Sequence, residues 1–470
     1  MLVTTRQIRI LFLSLFLCAT AHAEKLPNIV LLVGDDHGYP YFGFMGDDTV
    51  VTPAMDTLAE GGVVFTQGHV TAPYCRPSLR NLITGLHPVQ YANRKNEIVA
   101  ARYEAENVDR LGKTEQAQWK AVAEADAMRE FDTLPKLLAE KGYASWEGGK
   151  WWERSYKNAH FTEGMTDGWD MSKWGSNEWF NQLWGSEGED LVRKTMDPLF
   201  DFIDRHQEQP YFIWFGPALP HVPLDAPYQY TKYYQYKNLS NSAKAYYANI
   251  TWWDDGVSRL MDHIESTGQI DNTLFIYVSD NGWDQEPDEE FMKEAGSAYN
   301  DVPWGSGGFK GKGALYDMSF RSPIIFYWPG RIRGTFNETS LVSASDIVPT
   351  ILDLVGARQP DDLHGHSLRP LLEGQPMVER SEIVGYSDRR RSPNRETLFS
   401  ELADGFYVRT HRWHFMWHET KDEMELYDVI VDPRAENNLV EEYPGLIPGF
   451  MASITAWRKE MNVEEAVLMD

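Results

Sequence analysis

Short runs of consecutive apolar residues recur along the first three quarters of the chain, and stretches with helical spacing separate them. The runs cover residues 28–34, 211–215, 273–278 and 323–328. Uninterrupted apolar runs of this length are typical of strands that are buried on both faces of a parallel sheet. We therefore predict that these four segments are strands at the centre of the main domain.

The segments between these runs have the start and stop signals of helices. Residues 53–62 begin with proline and end with two glycines, and residues 133–142 also end in glycine. Proline is favoured in the first helical turn and glycine directly after the last one. Residues 197–206 and 242–268 place apolar side chains along one helical face. Helices alternating with buried strands predict an α/β fold with a mainly parallel central sheet sandwiched by helices.

The pattern changes after about residue 385. Segments within residues 398–429 alternate apolar and polar positions, and residues 447–461 have helical spacing. Strict alternation is typical of antiparallel strands with one solvated face. We predict a main domain at 24–385 and a C-terminal subdomain at 386–470, which has a small antiparallel sheet, a turn at residues 403–405 and a terminal helix.

Two segments interrupt the main domain. Residues 91–130 are highly charged and contain no apolar run, so they form either a helical insertion or a flexible loop. Residues 283–308 are rich in Asp, Glu and Gly. Both segments lie near the ends of predicted strands. We expect either that they shape a substrate pocket or that they are surface excursions without contact to it.

The chain starts with the pattern of an export signal. Two arginines precede an apolar run at residues 10–17, and Ala21-His22-Ala23 is a small-x-small cleavage site. So short a run indicates a secretory signal peptide at 1–23 rather than a spanning helix, with an uncleaved anchor as the alternative. The bulky Leu17 before Cys18 argues against a lipoprotein signal. We predict a periplasmic or secreted protein with no membrane contact after cleavage.

Composition narrows the possible partners. The 470 residues have a net charge of -26, and two arginines leave with the signal. Because phosphate groups are bound by clustered Lys and Arg, this charge disfavours nucleic acid and anionic membranes as partners. The 17 tryptophans either pack in the core or line a sugar-binding cleft.

Cys75 is the cysteine that remains once Cys18 leaves with the signal. A lone thiol in an exported protein has no internal disulfide partner, and in an oxidising compartment it risks mispairing. Such a cysteine is either buried and inert or chemically employed.

Oxygen-rich residues follow two of the predicted strands. Asp35 and Asp36 come directly after the first strand, and Ser279-Asp280-Asn281-Gly282 ends another. Each cluster alone is explained by a turn or a helix cap. Ligands collect at the carboxyl ends of parallel strands, however, and carboxylate and amide oxygens suit Ca²⁺ or Mg²⁺. Zinc fits poorly, because neither cluster contains His or Cys.

The stretch from Cys75 to Gly85 reads Cys-Arg-Pro-Ser-Leu-Arg-Asn-Leu-Ile-Thr-Gly. It is similar to the C-x-P-S-R-x-x-L-x-T-G signature of the sulfatase family, within the alkaline phosphatase superfamily. The resemblance runs from Pro27 to Leu439. The other matching motifs, in chain order, are Asp35-Asp36-His37-Gly38-Tyr39, Gly148-Gly149-Lys150-Trp151, Pro220-His221-Val222-Pro223, Ser279-Asp280-Asn281-Gly282, Lys312-Gly313 with Tyr316, Arg321 and Pro323, Glu425-Leu426-Tyr427-Asp428, Asp432-Pro433 and Asn438-Leu439.

The resemblance implies an alkaline phosphatase-like fold and a Ca²⁺ ion bound by Asp35, Asp36, Asp280 and Asn281, with residue 75 beside it. It also implies that a maturation enzyme oxidises Cys75 to formylglycine (3-oxoalanine), which is hydrated to a geminal diol. One hydroxyl would attack sulfur and expel the alcohol, and the other would let the sulfated intermediate collapse to aldehyde and sulfate. The metal would lower the pKa of the attacking hydroxyl and bind a sulfate oxygen.

Three further residues match sulfate-contacting positions of the family. Lys150 and Lys312 would pair with sulfate or steady the diol, and His221 would give a proton to the leaving oxygen. The alternatives are that the lysines are solvated at the surface and that the histidine, between two prolines, only braces a loop.

The sequence departs from the family pattern at two places. Leu79 stands where the signature has arginine, and Arg80 follows it. Either Arg80 substitutes from a position about 100° around the helix, or maturation fails. Trp152 stands where the family often has histidine. Possible replacements for that histidine are His37, His366 and His411.

The leading hypothesis is an exported, Ca²⁺-dependent sulfuric-ester hydrolase that uses formylglycine. Sulfated carbohydrate is the first candidate substrate and a simple aryl sulfate the second. One alternative is a phosphoester or phosphonate hydrolase with the same metal pocket. Another is an unmatured protein that binds sulfated glycans without turnover.

Overall fold

The computed structural model describes residues 25–282, 310–388, 404–419 and 421–463. The predicted signal peptide at 1–23 and the whole segment at 283–308 therefore lie outside the described residues. Within the described part of the chain, no helix is both long enough and apolar enough to cross a membrane.

The described strands form one large sheet and two smaller ones. In chain order they are β1 (Asn28–Gly34), β2 (Val63–Phe65), β3 (Gly68–His69), β4 (Ala144–Gly149), β5 (Glu163–Gly164), β6 (Tyr211–Gly216), β7 (Thr273–Ser279), β8 (Ile324–Tyr327), β9 (Thr335–Asn337), β10 (Val342–Ser343), β11 (Glu382–Asp388), β12 (Asp404–Thr410), β13 (Trp413–His418) and β14 (Glu423–Asp428).

Helices cover the sheet and link its strands. In chain order the described α-helices are α1 (Pro53–Gly61), α2 (Cys75–Thr84), α3 (Pro88–Ala105), α4 (Lys113–Asp126), α5 (Leu134–Ala139), α6 (Asn177–Trp184), α7 (Asp197–Arg205), α8 (Tyr228–Thr231), α9 (Asn241–Ser266), α10 (Asp317–Phe320), α11 (Ile347–Leu354), α12 (Arg369–Leu372) and α13 (Ile447–Glu460).

The large sheet has the order β5-β4-β6-β1-β7-β8-β2-β9. β1 lies in its middle and pairs in parallel with β6 and β7, while β8 is antiparallel to both of its neighbours. Alternate residues of β1 enter two different apolar clusters, one on each face of the sheet. The mainly parallel sheet between two helical layers is therefore confirmed. Predicted helix 133–142 is shorter, because α5 ends at Ala139.

β11 to β14 form an antiparallel sheet in that order, and α13 packs on it through a third apolar cluster. β11 was not predicted, and the proposed domain boundary at residue 385 falls within it. The prediction of a turn at 403–405 is wrong for Asp404 and Gly405, which belong to β12. Residues 91–130 are mostly helical, as the first of the two alternatives predicts, because they contain α4 and most of α3.

Candidate active site

The two oxygen-rich clusters meet at the end of two adjacent strands. β1 and β7 pair in parallel register up to Gly34 and Ser279, so the segments that follow the two strands leave the sheet side by side. The backbone N–H of Asp36 donates to Asp280 Oδ1 at 3.1 Å. Asp36 has a φ of 63°, a left-handed conformation that is unusual for a non-glycine residue and is often found at functional sites.

Cys75 lies beside these carboxylates as the first residue of α2. Its Sγ atom is 3.8 Å from Asp35 Oδ1 and 4.0 Å from Asp36 Oδ1. The side chain is buried, and the positive end of the α2 dipole is directed at it. Residue 75 therefore lies at the edge of the apolar core, with its sulfur atom beside the carboxylates.

Lys150 contacts both the cysteine and a carboxylate. Its Nζ is 2.7 Å from Asp35 Oδ1 and 3.2 Å from Cys75 Sγ. Gly149 sets the path of the backbone into this lysine with a φ of 111°, and a Cβ atom there would lie 1.8 Å from the Gly216 carbonyl oxygen. Only glycine fits this close approach of β4 to β6.

Lys312 and His221 contact the second aspartate of the pair, Asp36. Lys312 Nζ is 2.7 Å from Asp36 Oδ2, and His221 Nε2 is 3.6 Å from the same oxygen. His221 Nδ1 lies 2.7 Å from the Val222 carbonyl oxygen. Because a carbonyl only accepts, Nδ1 carries the hydrogen, and Nε2 is the atom that gains or loses a proton in the pocket.

Several oxygen atoms of this cluster receive no hydrogen bond. Among the described residues, Asp35 Oδ2, Asp280 Oδ2 and Asn281 Oδ1 are buried without a hydrogen-bond partner. Buried unsatisfied oxygens are costly, and a bound cation would satisfy them. One ligand atom from each of Asp35, Asp36, Cys75 and His221 also lies within 4.8 Å of the others. The oxygen-dominated donor set fits Ca²⁺.

The pKa values reflect this crowding of charge. Burial and repulsion by Asp35 and Asp36 raise the pKa of Asp280 well above its usual value. Burial also raises the pKa of Asp35, but Lys150, His221 and Lys312 outweigh it and bring that pKa to about 2. Burial, together with Asp280, raises the pKa of the Cys75 thiol. Burial and Lys150 lower the pKa of His221.

The structure shows the contacts made at the two places where the sequence departs from the family pattern. Leu79 packs in the apolar core, while Arg80 Nε lies 2.8 Å from Glu153 Oε1. The Arg80 guanidinium also stacks 4.7 Å from the centre of the Tyr91 ring. These contacts draw Arg80 to Glu153, a partner that the sequence analysis did not identify. Lys150 Nζ lies 5.9 Å from the centre of the Trp152 ring, so Trp152 packs beside the lysine as a cation–π partner.

None of the three suggested replacement histidines joins the cluster. His37 is stacked on Phe42, its Nε2 lies 3.0 Å from the Tyr41 carbonyl oxygen, and burial lowers its pKa to about 3. His366 and His411 are exposed. His37 is thus a neutral core residue, and His221 is the histidine that faces the carboxylates.

The C-terminal subdomain holds the segment that contains Lys312 in place. The sequence analysis did not predict these contacts. Lys310 Nζ donates to the Ala435 carbonyl at 2.7 Å, and Tyr316 Oη donates to Glu425 Oε2 at 3.0 Å. His414 Nε2 lies 2.7 Å from the Leu315 carbonyl oxygen. The only sequence signal was the motif that starts at Glu425. These contacts on both sides of Lys312 make the small sheet part of the site's framework.

All the sequence-predicted site residues are thus brought together: Asp35, Asp36, Cys75, Lys150, His221, Asp280, Asn281 and Lys312. The pocket combines a nucleophile position, an oxygen-rich site for a cation, and three nitrogen groups, which are the amines of Lys150 and Lys312 and the imidazole of His221. Such a site suits attack on an anionic tetrahedral group, because its cations meet negative charge in a water-poor environment.

Comparison with known protein families agrees with this chemistry. The sulfatase family model matches residues 27–357, and a model described as N-sulphoglucosamine sulphohydrolase, C-terminal, matches residues 305–446. The arylsulfatase of Clostridium perfringens (strain 13 / Type A) is 25% identical over 480 residues, which cover 89% of this chain and 91% of that protein. The N-acetylgalactosamine-6-sulfatase of Mus musculus is 28% identical over 409 residues, which cover 80% of this chain and 72% of that protein.

A solved structure shares the fold. The crystal structure of Ps i-CgsB in complex with k-i-k-neocarrahexaose has a TM-score of 0.67 and 21% identity, and the match covers 92% of this chain and 93% of that chain. The similarity therefore extends over the main domain and the C-terminal sheet together.

Proposed function

The chain belongs to the sulfatase family and is a sulfuric ester hydrolase, and we propose that it is an exported enzyme that releases sulfate from sulfated carbohydrate with formylglycine at position 75 and a bound Ca²⁺. The observation on which this rests is the position of Cys75. Its side chain lies 3.8 Å from Asp35 Oδ1, next to buried oxygens without partners and within reach of Lys150.

Asp35, Asp36, Asp280 and Asn281 would hold the calcium ion, which supplies positive charge for a sulfate oxygen and for the nucleophile. Formylglycine supplies a hydrated aldehyde whose two hydroxyls serve as nucleophile and as the route to sulfate release. The unsatisfied oxygens support the metal, and the cleft around residue 75 has polar groups on several sides to orient a hydroxyl.

The chain's own cations meet the charge of the substrate. Lys150 donates to Asp35 and Lys312 donates to Asp36, so each aspartate of the pair has an ammonium group beside it. They would bind the sulfate oxygens and stabilise the charge that develops on them. Such donors are worth about 2.7–4 kcal/mol each in comparable sites.

His221 would protonate the departing alcohol oxygen through Nε2. Its Nδ1–H is occupied by the Val222 carbonyl, so the ring orientation is set and Nε2 faces the pocket. Because burial lowers the pKa of His221, its protonated Nε2 would be a stronger proton donor than an ordinary imidazolium, which suits a general acid for this step.

Sulfated sugar is the substrate class that we propose. One relative is named N-acetylgalactosamine-6-sulfatase, and one structure of the same fold was solved in complex with k-i-k-neocarrahexaose. A simple aryl sulfate remains the alternative, because another relative is named arylsulfatase. Export is proposed from the signal-peptide pattern at residues 1–23 alone.

The test begins with the state of residue 75. Intact-mass analysis of the tryptic peptide that contains Cys75, from protein produced in the native host, should show the mass of formylglycine or its hydrate. Desulfation of defined sulfated sugars, followed by release of free sulfate, then identifies the substrate. An unmodified thiol with no turnover would favour the silent glycan-binding alternative, and faster hydrolysis of a matched aryl phosphate would favour the phosphoester alternative.

A further inference from the structure

A groove runs between helices α3 and α4, outside the cluster around Cys75. It has a cavity volume of about 730 Å³, a size that accommodates a ligand of several rings. The two helices face each other with residues at helical spacing. Its charged and aromatic lining residues are Lys95, Tyr103 and Glu104 on α3 and Lys113, Trp119, Lys120 and Glu124 on α4.

Lys95 lies at the inner end of this groove and is buried, with 2% of its surface exposed. The nearest carboxylate oxygen is Glu124 Oε1, at 3.9 Å from Lys95 Nζ, which is too far for a hydrogen bond. No described residue accepts a hydrogen bond from this ammonium. A buried cation is costly when its charge is only partly compensated, and the distant Glu124 compensates Lys95 only in part, so Lys95 is suited to an anion that enters the groove.

The groove lining contains more lysines than glutamates, unlike the whole protein. Glu124 is shared between Lys95 and Lys120, whose Nζ is 3.6 Å from Glu124 Oε1. Lys113 lies at the outer end of α4, eleven residues before Glu124 in the sequence. Three lysines and two glutamates line the groove in a chain of net charge -26. The excess cation favours an anionic ligand against the long-range repulsion of the protein.

Two aromatic rings form the wall between these lysines. Tyr103 and Trp119 meet edge to face, with ring centres 5.5 Å apart. Trp119 Nε1 donates to Glu106 Oε2 at 2.6 Å, and Tyr103 Oη donates to Asp109 Oδ1 at 2.5 Å. Because their polar atoms are bonded to acids, the rings are held in place. Rigid aromatic rings are suited to the apolar faces of sugar rings and lose little entropy on binding.

The groove is connected to the active site through α2. Arg80 of α2 stacks on Tyr91 of α3, one turn before Lys95, and α2 begins at Cys75. The pKa of Lys95 is lowered to about 8, mainly by burial and also by the positive charges of Arg80 and Arg76. From Lys95 the groove extends along α3 for eight residues to Tyr103, about 12 Å at the rise of an α-helix.

We propose that the groove between α3 and α4 is a subsite for a sulfated sugar unit of an oligosaccharide substrate, whose anionic group binds Lys95 and whose ring packs on Tyr103 and Trp119. This inference rests on the proposed function, because it assigns the distal part of the same substrate. It extends the recognised substrate well beyond the sulfate that is removed.

Binding is tested in the Cys75→Ala background, which cannot turn over substrate. Carrageenan, heparin and chondroitin sulfate hexasaccharides are titrated by calorimetry, each beside its desulfated form. We expect at least one sulfated hexasaccharide to bind and its desulfated form to bind more weakly. The changes Lys95→Met and Trp119→Ala should each raise Kd about tenfold, which corresponds to about 1.4 kcal/mol. Lys141→Met, an exposed lysine outside the groove, is the matched control and should leave Kd unchanged.

Kinetics with Cys75 intact separate this inference from the proposed function. Lys95→Met, Lys120→Ala and Trp119→Ala should leave hydrolysis of 4-nitrocatechol sulfate unchanged and raise KM for the hexasaccharide that binds. Unchanged hexasaccharide binding in Lys95→Met and Trp119→Ala, or no binding by any of the three hexasaccharides, overturns the subsite. Failure of the proposed function appears differently, as an unmodified Cys75 and no aryl sulfate hydrolysis in the unsubstituted protein.

Discussion

Arg80 and Glu153 form a buried ion pair in which Arg80 Nε lies 2.8 Å from Glu153 Oε1. Arg76 joins the same carboxylate, with Nε at 2.9 Å from Oε1. The two arginines are one helical turn apart on α2, so a single glutamate pairs with both.

Replacing Glu153 with glutamine should destabilise the fold by about 3–5 kcal/mol, because two arginines would lose their buried counter-charge. Urea unfolding monitored by tryptophan fluorescence measures this loss. The exposed Glu208 provides a control, and its change to glutamine should have no effect. Equal stability of the Glu153→Gln protein would show that solvent reaches the arginines.

The same pair makes stability depend on acid. Burial raises the pKa of Glu153, but Arg76 and Arg80 outweigh it and bring the pKa to about 2, below the ordinary value of 4.5. A carboxyl whose folded pKa is depressed contributes stability that is present above pH 4.5 and is lost as the pH falls towards 2. The difference in stability between the natural protein and Glu153→Gln should therefore shrink between pH 4.5 and pH 2.

Cys75→Ser should abolish repeated turnover and leave the fold intact. A serine hydroxyl is able to accept sulfate, but without the second hydroxyl of a hydrated aldehyde it has no direct route to release it. The measurement is sulfate release over many enzyme equivalents, with thermal unfolding as the check on folding. Sustained turnover by this variant contradicts the formylglycine proposal.

Asp280→Ala should weaken Ca²⁺ binding by at least about tenfold, since loss of even an outer partner of a metal typically costs 10–100-fold. Calorimetric titration with Ca²⁺ gives the affinity without any substrate. Asp271→Ala removes an exposed aspartate close to the same strand and serves as the control. Calcium affinity that is equal in both variants would remove Asp280 from the metal site.

Glu147 should make the protein less stable as the pH rises. It is fully buried in β4, and burial raises its pKa to about 8 from 4.5. The Thr166 hydroxyl lies 3.2 Å from Glu147 Oε1 and 3.1 Å from the Gly185 carbonyl oxygen. One hydroxyl hydrogen cannot serve both acceptors, whereas a protonated Glu147 would donate to Thr166 and complete the chain.

A carboxyl whose folded pKa is raised stabilises the fold fully below its unfolded pKa and loses that contribution as the pH rises to the folded pKa. The window here is pH 4.5 to 8. Glu147→Gln keeps a donor at this position and cannot ionise, so it should be more stable than the natural protein by about 2–4 kcal/mol at pH 8. The gain should disappear near pH 4. A Glu147→Gln protein that is less stable at pH 8 would show that Glu147 is ionised in the fold.

The sequence determined the centre of the fold and the residues of the site. β1, β6, β7 and β8 were predictable because a strand buried on both faces must be apolar at every position, which is a local property of the chain. The grouping of the oxygen-rich residues was predictable because they directly follow two such strands, and parallel strands end at the same edge of a sheet.

Tertiary structure decided which way the side chains of α2 point and what they meet. Glu153 is 73 residues from Arg80, and neither residue alone indicates the other. The C-terminal sheet anchors Lys312 through tertiary contacts as well. The groove between α3 and α4 also forms only when the two helices pack together. Helical spacing predicts which residues share a face, but the partner of that face depends on packing between segments far apart in the chain, where the free energy of burial is gained.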